Sequence, residues 1–237
     1  MVFNFRGRGG HGLKTPRTYC ASNSEDLASV IHHIKAHYPN APVLALGVSL
    51  GGIILGNYLA EEGEAASNLL NAAFLVSVCF DTFRGTESLE RKGLNLMLNR
   101  HLANCLIESI REVQHHFASL DLEHVYKSRT VSEFDERFTS QQFGYSSLKD
   151  YYTHAKIKGK IGNIKVPVLA LNAEDDPFSP GDSLPVDEAK KSDYFTMLTT
   201  TYGGHIGFME GLLPTRYHYS DRVFEQFARI IFNSNEN

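Results

Sequence analysis

Cysteine is scarce in this sequence. Its 237 residues include three, Cys20, Cys79 and Cys105, an odd and widely spaced set with no C-x-x-C pair. That excludes a disulfide scaffold and a cysteine-rich zinc site, and it suits a reducing compartment. No run approaches the ~18 uninterrupted apolar residues of a membrane-spanning helix. The opening Met1–Gly7 lacks the charged and apolar regions of a signal peptide. Positive charge is also short: 23 Lys and Arg against 27 Asp and Glu give a net charge of −4, which argues against nucleic acid as a partner. No internal repeat and no low-complexity stretch interrupts the chain. What remains is 42 % hydrophobic and 21 % charged, the composition of a globular protein with a real core. At about 150 residues per domain the length fits one α/β unit with a sizeable insertion.

The pattern alternates strands with helices. Val2–Phe5 reads as a short strand running into the glycine-rich loop Arg6–Gly12. Ser22, Asn23 and Ser24 offer caps before Glu25 and Asp26, and Leu27, Val30, Ile31 and Ile34 recur at helical spacing. Val43–Val48 is continuously apolar, as expected of a central parallel strand covered on both faces. A buried helix follows from Leu50, then a strand at Ala72–Cys79. From about 83 to 155 charged and apolar residues alternate at helical spacing, which predicts a helical insertion. Strand character returns at Val166–Asn172 and Tyr194–Thr201. Tyr219–Phe232 reads as an amphipathic helix burying Val223, Phe224, Phe227, Ile230 and Ile231, before a polar tail, Asn233–Asn237, expected to fray. Such alternation implies βαβ units and a parallel sheet.

One motif carries chemistry. Gly47-Val48-Ser49-Leu50-Gly51 is a G-x-S-x-G between a buried strand and a helix, the context of a nucleophile elbow. There the serine occupies a strained turn, flanking glycines remove collisions two residues either way, and the Leu50 N–H faces the site of an oxyanion. A serine hydroxyl needs a base and an acid, which in this chain order lie downstream. The acidic loop Asn172–Phe178 offers Asp175 or Asp176, with Glu174 a third candidate, and loop counting does not separate the first two. His205 follows a strand within a glycine frame, unlike the histidines of helix-like stretches such as His32 and His154, and is the expected base.

With these residues assembled, the chain resembles the YheT-like α/β-hydrolase domain-containing family, notably its third, phospholipase-like branch. The resemblance rests on segments 2–7, 15–20, 47–52, 133–139, 171–180 and 202–211, which span nearly the whole sequence. It implies an α/β-hydrolase fold with a mostly parallel sheet and a helical lid. It also implies a serine hydrolase acting on lipid acyl esters such as phospholipids and acylglycerols. The nucleophile maps to Ser49, the base to His205 and the acid to Asp175, with Asp176 in reserve. Phe80, Phe83, Leu94, Met97 and Leu98 are candidates to line an acyl pocket or to form plain lid core. Members of the family carry a membrane anchor and further strands before the segment matching Val2–Phe5, with a loop there donating a second oxyanion N–H. Without it the sheet gains an exposed edge and Leu50 is left as sole donor, a loss of about 10²–10³ in rate. The resemblance thus implies an intracellular, membrane-associated enzyme, with lipid ester as substrate, a membrane surface as a possible partner, and neither cofactor nor protein partner. A catalytically weak, shortened binding form is an alternative.

Two further patterns are weaker. His116 and Asp121 form the H-x-x-x-x-D of glycerolipid acyltransferases, but on one helix they would sit nearly half a turn apart. The Arg6–Gly12 loop lacks the Gly-Lys-Ser/Thr ending of a phosphate-binding loop and reads as a turn, with Arg6 or Arg8 near the site. His32-His33 and His115-His116 are adjacent pairs that point apart on a helix, so no metal is expected.

Overall fold

The computed structural model describes residues 1–8, 10–211 and 218–233. Gly9 of the glycine-rich loop and the tail beyond Asn233 lie outside them. Four strands, β1 (Leu44–Val48), β2 (Ala72–Val76), β3 (Val168–Ala173) and β4 (Phe195–Thr200), form one sheet in that order. All three pairings are parallel, so the α/β expectation is borne out. The helices used below are α1 (Glu25–His37), α2 (Leu50–Glu62), α3 (Thr82–Leu89), α4 (Leu94–Arg111), α5 (Leu148–Ala155) and α6 (Tyr219–Asn233).

The sheet is covered on both faces. On one, Ile53, Tyr58 and Leu59 of α2 join Ile31 of α1 and Leu75, Val168 and Ala170 of the strands in the largest core cluster. On the other, Val223, Phe224 and Phe227 of α6 pack on Phe74 and Leu171, with the Phe74 ring 5.5 Å from that of Phe224 and 6.1 Å from that of Phe227. Each such side chain contributes about 1.5–3 kcal/mol on full burial. Ile230, expected on the buried stripe, is exposed.

Two other expectations fail at the start of the fold. β1 is an edge strand, not a central one, and leaves Leu46 52 % exposed. Val2–Phe5, predicted as a strand, has no strand assignment; the Phe5 ring stacks instead on Tyr19, centroids 4.5 Å apart. The segment is tied down by Arg6, whose guanidinium meets both oxygens of Asp26.

Between β2 and β3 the chain builds a helical region, α3, α4 and α5, with a run of short helical segments from Gln114 to Phe143 between α4 and α5. It has a core of its own in which Ile107, Ile110, Val113, Phe117, Phe134 and Phe138 meet. Among the described residues, no helix is long and apolar enough to cross a membrane.

Candidate active site

The parallel register brings several turns to one rim. Val48 pairs with Val76 and Val76 with Leu171, so β1 and β2 end at the same level, and β3 runs two residues further beside β4, to the pair Ala173 and Thr200. The ladder continues one residue further through Ser49 N–H to Val76 O (2.9 Å) and Glu174 N–H to Thr200 O (2.8 Å). Residues just beyond those ends therefore converge.

Ser49 is the first of them. Its backbone has φ 51° and ψ −120°, a strained conformation for a non-glycine residue. The turn forces β1 and α2 together, which the glycines permit. A Cβ on Gly47 would lie 2.7 Å from Gly52 Cα, and one on Gly52 would lie 2.2 Å from Val78 Cγ2. Gly51 differs from expectation: a Cβ there would meet nothing within 4 Å. Close approach is therefore required at 47 and 52, while 51 has room. Leu50 opens α2, where backbone N–H groups have no intrahelical acceptor.

His205 lies on the loop after β4. Its Nε2 is 2.8 Å from Ser49 Oγ, a distance suited to proton transfer. The loop is held from three sides. Gly204 has φ +58°, and a Cβ on Gly203 would lie 2.8 Å from the Phe208 ring. Ile206 N–H donates to Ser77 Oγ (3.0 Å), and Gly204 N–H donates to a carboxylate oxygen of Asp175 (2.7 Å).

That last bond separates the two candidate aspartates. Asp175, to which the resemblance mapped the role, spends its carboxylate on the backbone of the histidine loop. The group facing His205 Nδ1 is Asp176, with Oδ2 at 2.9 Å and Oδ1 at 3.1 Å. The Asp176 side chain is 0 % exposed, that of His205 16 %. Neighbouring residues on a tight loop point opposite ways, so one aspartate can orient the imidazole while the other clamps its loop. Asp176 Oδ1 also accepts from Phe178 N–H (2.8 Å), which fixes the carboxylate. Glu174 faces neither group in these contacts.

Three contributors went unremarked in the sequence. The Phe178 ring lies over the imidazole, centroids 4.1 Å and planes 24° apart. Asn172, wholly buried, ties β3 to the β2 turn through Val78 O (3.0 Å). Ser77 accepts the Ile206 bond. Only Phe178 left a signal, its place after Asp176-Pro177 in a recognisable segment; the other two act through partners far away in sequence.

Ser49, Leu50 and His205 open into an apolar cavity of about 560 Å³ between the rim and the helical region. Its walls include Ile53, Leu89, Leu102, Leu106, Ile110 and Phe134. None of the five candidate lining residues belongs to it. Phe80 is buried in the sheet core, while Phe83, Leu94 and Met97 are exposed and Leu98 lies between those limits. Phe83 lies on α3, and Leu94, Met97 and Leu98 lie on α4. Cys79 lines it too, but burial, reinforced by Asp176 and Asp81, pushes its thiol up to about 12, too high for a nucleophile at neutral pH. Arg6 and Arg8 also border the cavity.

His116 and Asp121 are not brought together as an acid–base pair. His116 sits in the turn Gln114–Phe117 with its ring 4.1 Å from that of His115. Asp121 caps the next turn, accepting from His124 N–H (3.0 Å). Neither borders the cavity that holds Ser49.

A parallel sheet with strand–serine–helix, histidine and aspartate turns on one rim defines a hydrolase-type architecture, and the chain belongs to the alpha/beta hydrolase fold family, whose pattern matches residues 2–212. Phospholipase ABHD3 of Bos taurus is 46 % identical over 230 residues, 97 % of this chain and 56 % of that protein. Monoacylglycerol lipase of Saccharomyces cerevisiae is 30 % identical over 227 residues, 92 % of this chain and 49 % of that protein. The chain thus spans about half the length of these curated relatives. A solved alpha/beta fold family hydrolase from Bacillus anthracis str. Sterne shares the fold, with TM-score 0.53 and 15 % identity over 97 % of this chain and 80 % of that one.

Proposed function

We propose that the protein is a serine hydrolase of lipid carboxylic esters, acting through an acyl-serine intermediate. The observation that carries this reading is the unbroken chain from Ser49 Oγ to His205 Nε2 (2.8 Å) and from His205 Nδ1 to Asp176 (2.9 Å). Ser49 Oγ attacks the ester carbonyl carbon while His205 takes the hydroxyl proton. Asp176 holds the imidazole in the tautomer with Nδ1 protonated and stabilises the imidazolium that forms. The Leu50 N–H donates to the oxyanion. His205 then protonates the leaving alkoxide, releasing the alcohol. Water, deprotonated by the same imidazole, attacks the acyl-serine; the fatty acid departs and Ser49 regains its proton.

The substrate class follows from the walls. An apolar cavity of about 560 Å³ gains free energy by covering an acyl chain, about 0.8 kcal/mol per buried CH₂. The helical region over the rim then serves as a lid that keeps water from the acyl-enzyme. The names of the relatives, phospholipase and monoacylglycerol lipase, agree with a lipid ester.

The test is fatty acid release from a panel of phospholipids and acylglycerols by wild type and Ser49→Ala. At least one lipid should be cleaved, with the variant slower by about 10³-fold or more. Equal release by the variant would overturn the reading.

A further inference from the structure

One side chain in the cavity wall has no part in that chemistry. Asp135 opens a π-helical segment, Asp135–Thr139, a wider turn that occurs mostly as a local bulge and frequently at functional sites. Phe134, Asp135, Phe138 and Thr139 all border the cavity. Two hydroxyls donate to the carboxyl group, Thr139 Oγ1 to Oδ1 (2.7 Å) and Tyr152 Oη to Oδ2 (3.2 Å). Among the described residues, no ion pair is recorded for Asp135. The titratable groups around it are Cys20, Tyr151 and Tyr152. Burial pushes all three up, so each is neutral near pH 7.

A carboxyl group placed among apolar side chains is costly unless its hydrogen-bonding capacity is used. An ionised carboxylate has about four lone-pair positions; Thr139 and Tyr152 occupy two, and the group reaches the cavity with capacity left. Desolvation raises this carboxyl to about 6, so both protonation states are accessible near neutrality. An ammonium group would satisfy only the ionised form and a carbonyl only the protonated one. A hydroxyl donates to the first and accepts from the second.

We propose that Asp135, together with Tyr152 and Thr139, is a hydroxyl-binding station in the cavity wall that selects ester substrates carrying an alcohol group. The proposal rests on the reading of the cavity as the substrate site. Two parts of a lipid ester could supply the hydroxyl, a hydroxylated acyl chain or the free hydroxyls of a glycerol moiety. Either would form a hydrogen bond in a low-dielectric setting, where leaving the partner unpaired is penalised.

The experiment compares kcat/KM within two substrate pairs. The acyl pair is p-nitrophenyl ω-hydroxydodecanoate against p-nitrophenyl dodecanoate, and the alcohol pair is monododecanoylglycerol against propyl dodecanoate. Wild type should favour the hydroxylated member of at least one pair by about tenfold or more, and the pair that responds identifies the source. In Asp135→Leu that ratio should fall to about one, and in Tyr152→Phe it should fall part of the way. A merely structural role would slow both members equally and leave the ratio unmoved. Equal kcat/KM within both pairs for wild type overturns the proposal without needing any variant, as does a wild-type preference that persists in a folded Asp135→Leu protein. Calorimetric binding of the same esters to Ser49→Ala keeps the two readings apart. Hydroxyl-selective binding without turnover by wild type would fail the hydrolase reading alone. Unselective binding without turnover would overturn the station as well.

Discussion

Asp176, buried, and Asp135, half-buried, are both carboxyl groups around one cavity, and their partners set them apart. Asp176 sits on the loop after β3 with an imidazole at 2.9 Å and a backbone N–H at 2.8 Å. Asp135 sits in the helical region with two neutral hydroxyls and is raised to about 6. The same side chain meets different surroundings: under the proposed mechanism the imidazole beside Asp176 becomes cationic, while the hydroxyls around Asp135 stay neutral.

The sharpest way to break this contrast is to neutralise the rim carboxylate. Asp176→Asn should lose about 10⁴-fold in kcat, because an amide no longer enforces the imidazole tautomer. Asp175→Asn, at a carboxylate that accepts from the Gly204 backbone N–H, should lose tenfold or less, about 1.4 kcal/mol. Steady-state rates of the two variants, side by side, decide which aspartate is the acid; the reverse order would move the role to Asp175.

A smaller effect sharpens the other side. With a native pKa of about 6 against roughly 4 unfolded, Asp135 binds more protons in the native state between those values. Its contribution to stability therefore falls as pH rises through that window and is constant above it. Relative to wild type, Asp135→Asn should gain about 2 kcal/mol between pH 4 and pH 7, from two pK units at ~1.4 kcal/mol each less the part already titrated at pH 4. Urea titrations of both proteins across that range measure it. A pH-independent difference would show that the carboxyl is not desolvated.

The smallest contrast lies within the serine motif. Gly52→Ala presses on Val78 Cγ2 and should cost about 1–3 kcal/mol. Gly51→Ala meets open space and should change stability by less than ~1 kcal/mol, since alanine favours a helix. Thermal melts of the two variants separate them, and equal losses would contradict the packing of the elbow.

How much was legible beforehand follows from how local each signal is. The order of strands and helices was readable because apolar periodicity and glycine punctuation act over a few residues. The serine turn was readable as a strand–Gly-x-Ser-x-Gly–helix unit, and His205 as a histidine in a glycine frame after a strand. The choice between Asp175 and Asp176 was not, because adjacent residues have the same local sequence and only the path of the loop after β4 decides which one meets the imidazole. The cavity wall was misread for a related reason. Leu94 and Met97 are apolar at helical spacing, yet α4 meets the insertion core through Ile107 and Ile110, leaving both in solvent. Val2–Phe5 has the composition of a strand but forms none among the described residues. Asp135 lay in a quoted segment, but its environment comes from Cys20 and Tyr152, remote in sequence.

The most direct test of the central claim is covalent labelling with an alkyl fluorophosphonate, followed by peptide mapping. The account predicts one phosphonylated residue, Ser49, with labelling strongly slowed in His205→Ala and in Asp176→Asn. An unlabelled Ser49 in folded wild-type protein, or labelling at full rate without His205, would contradict it.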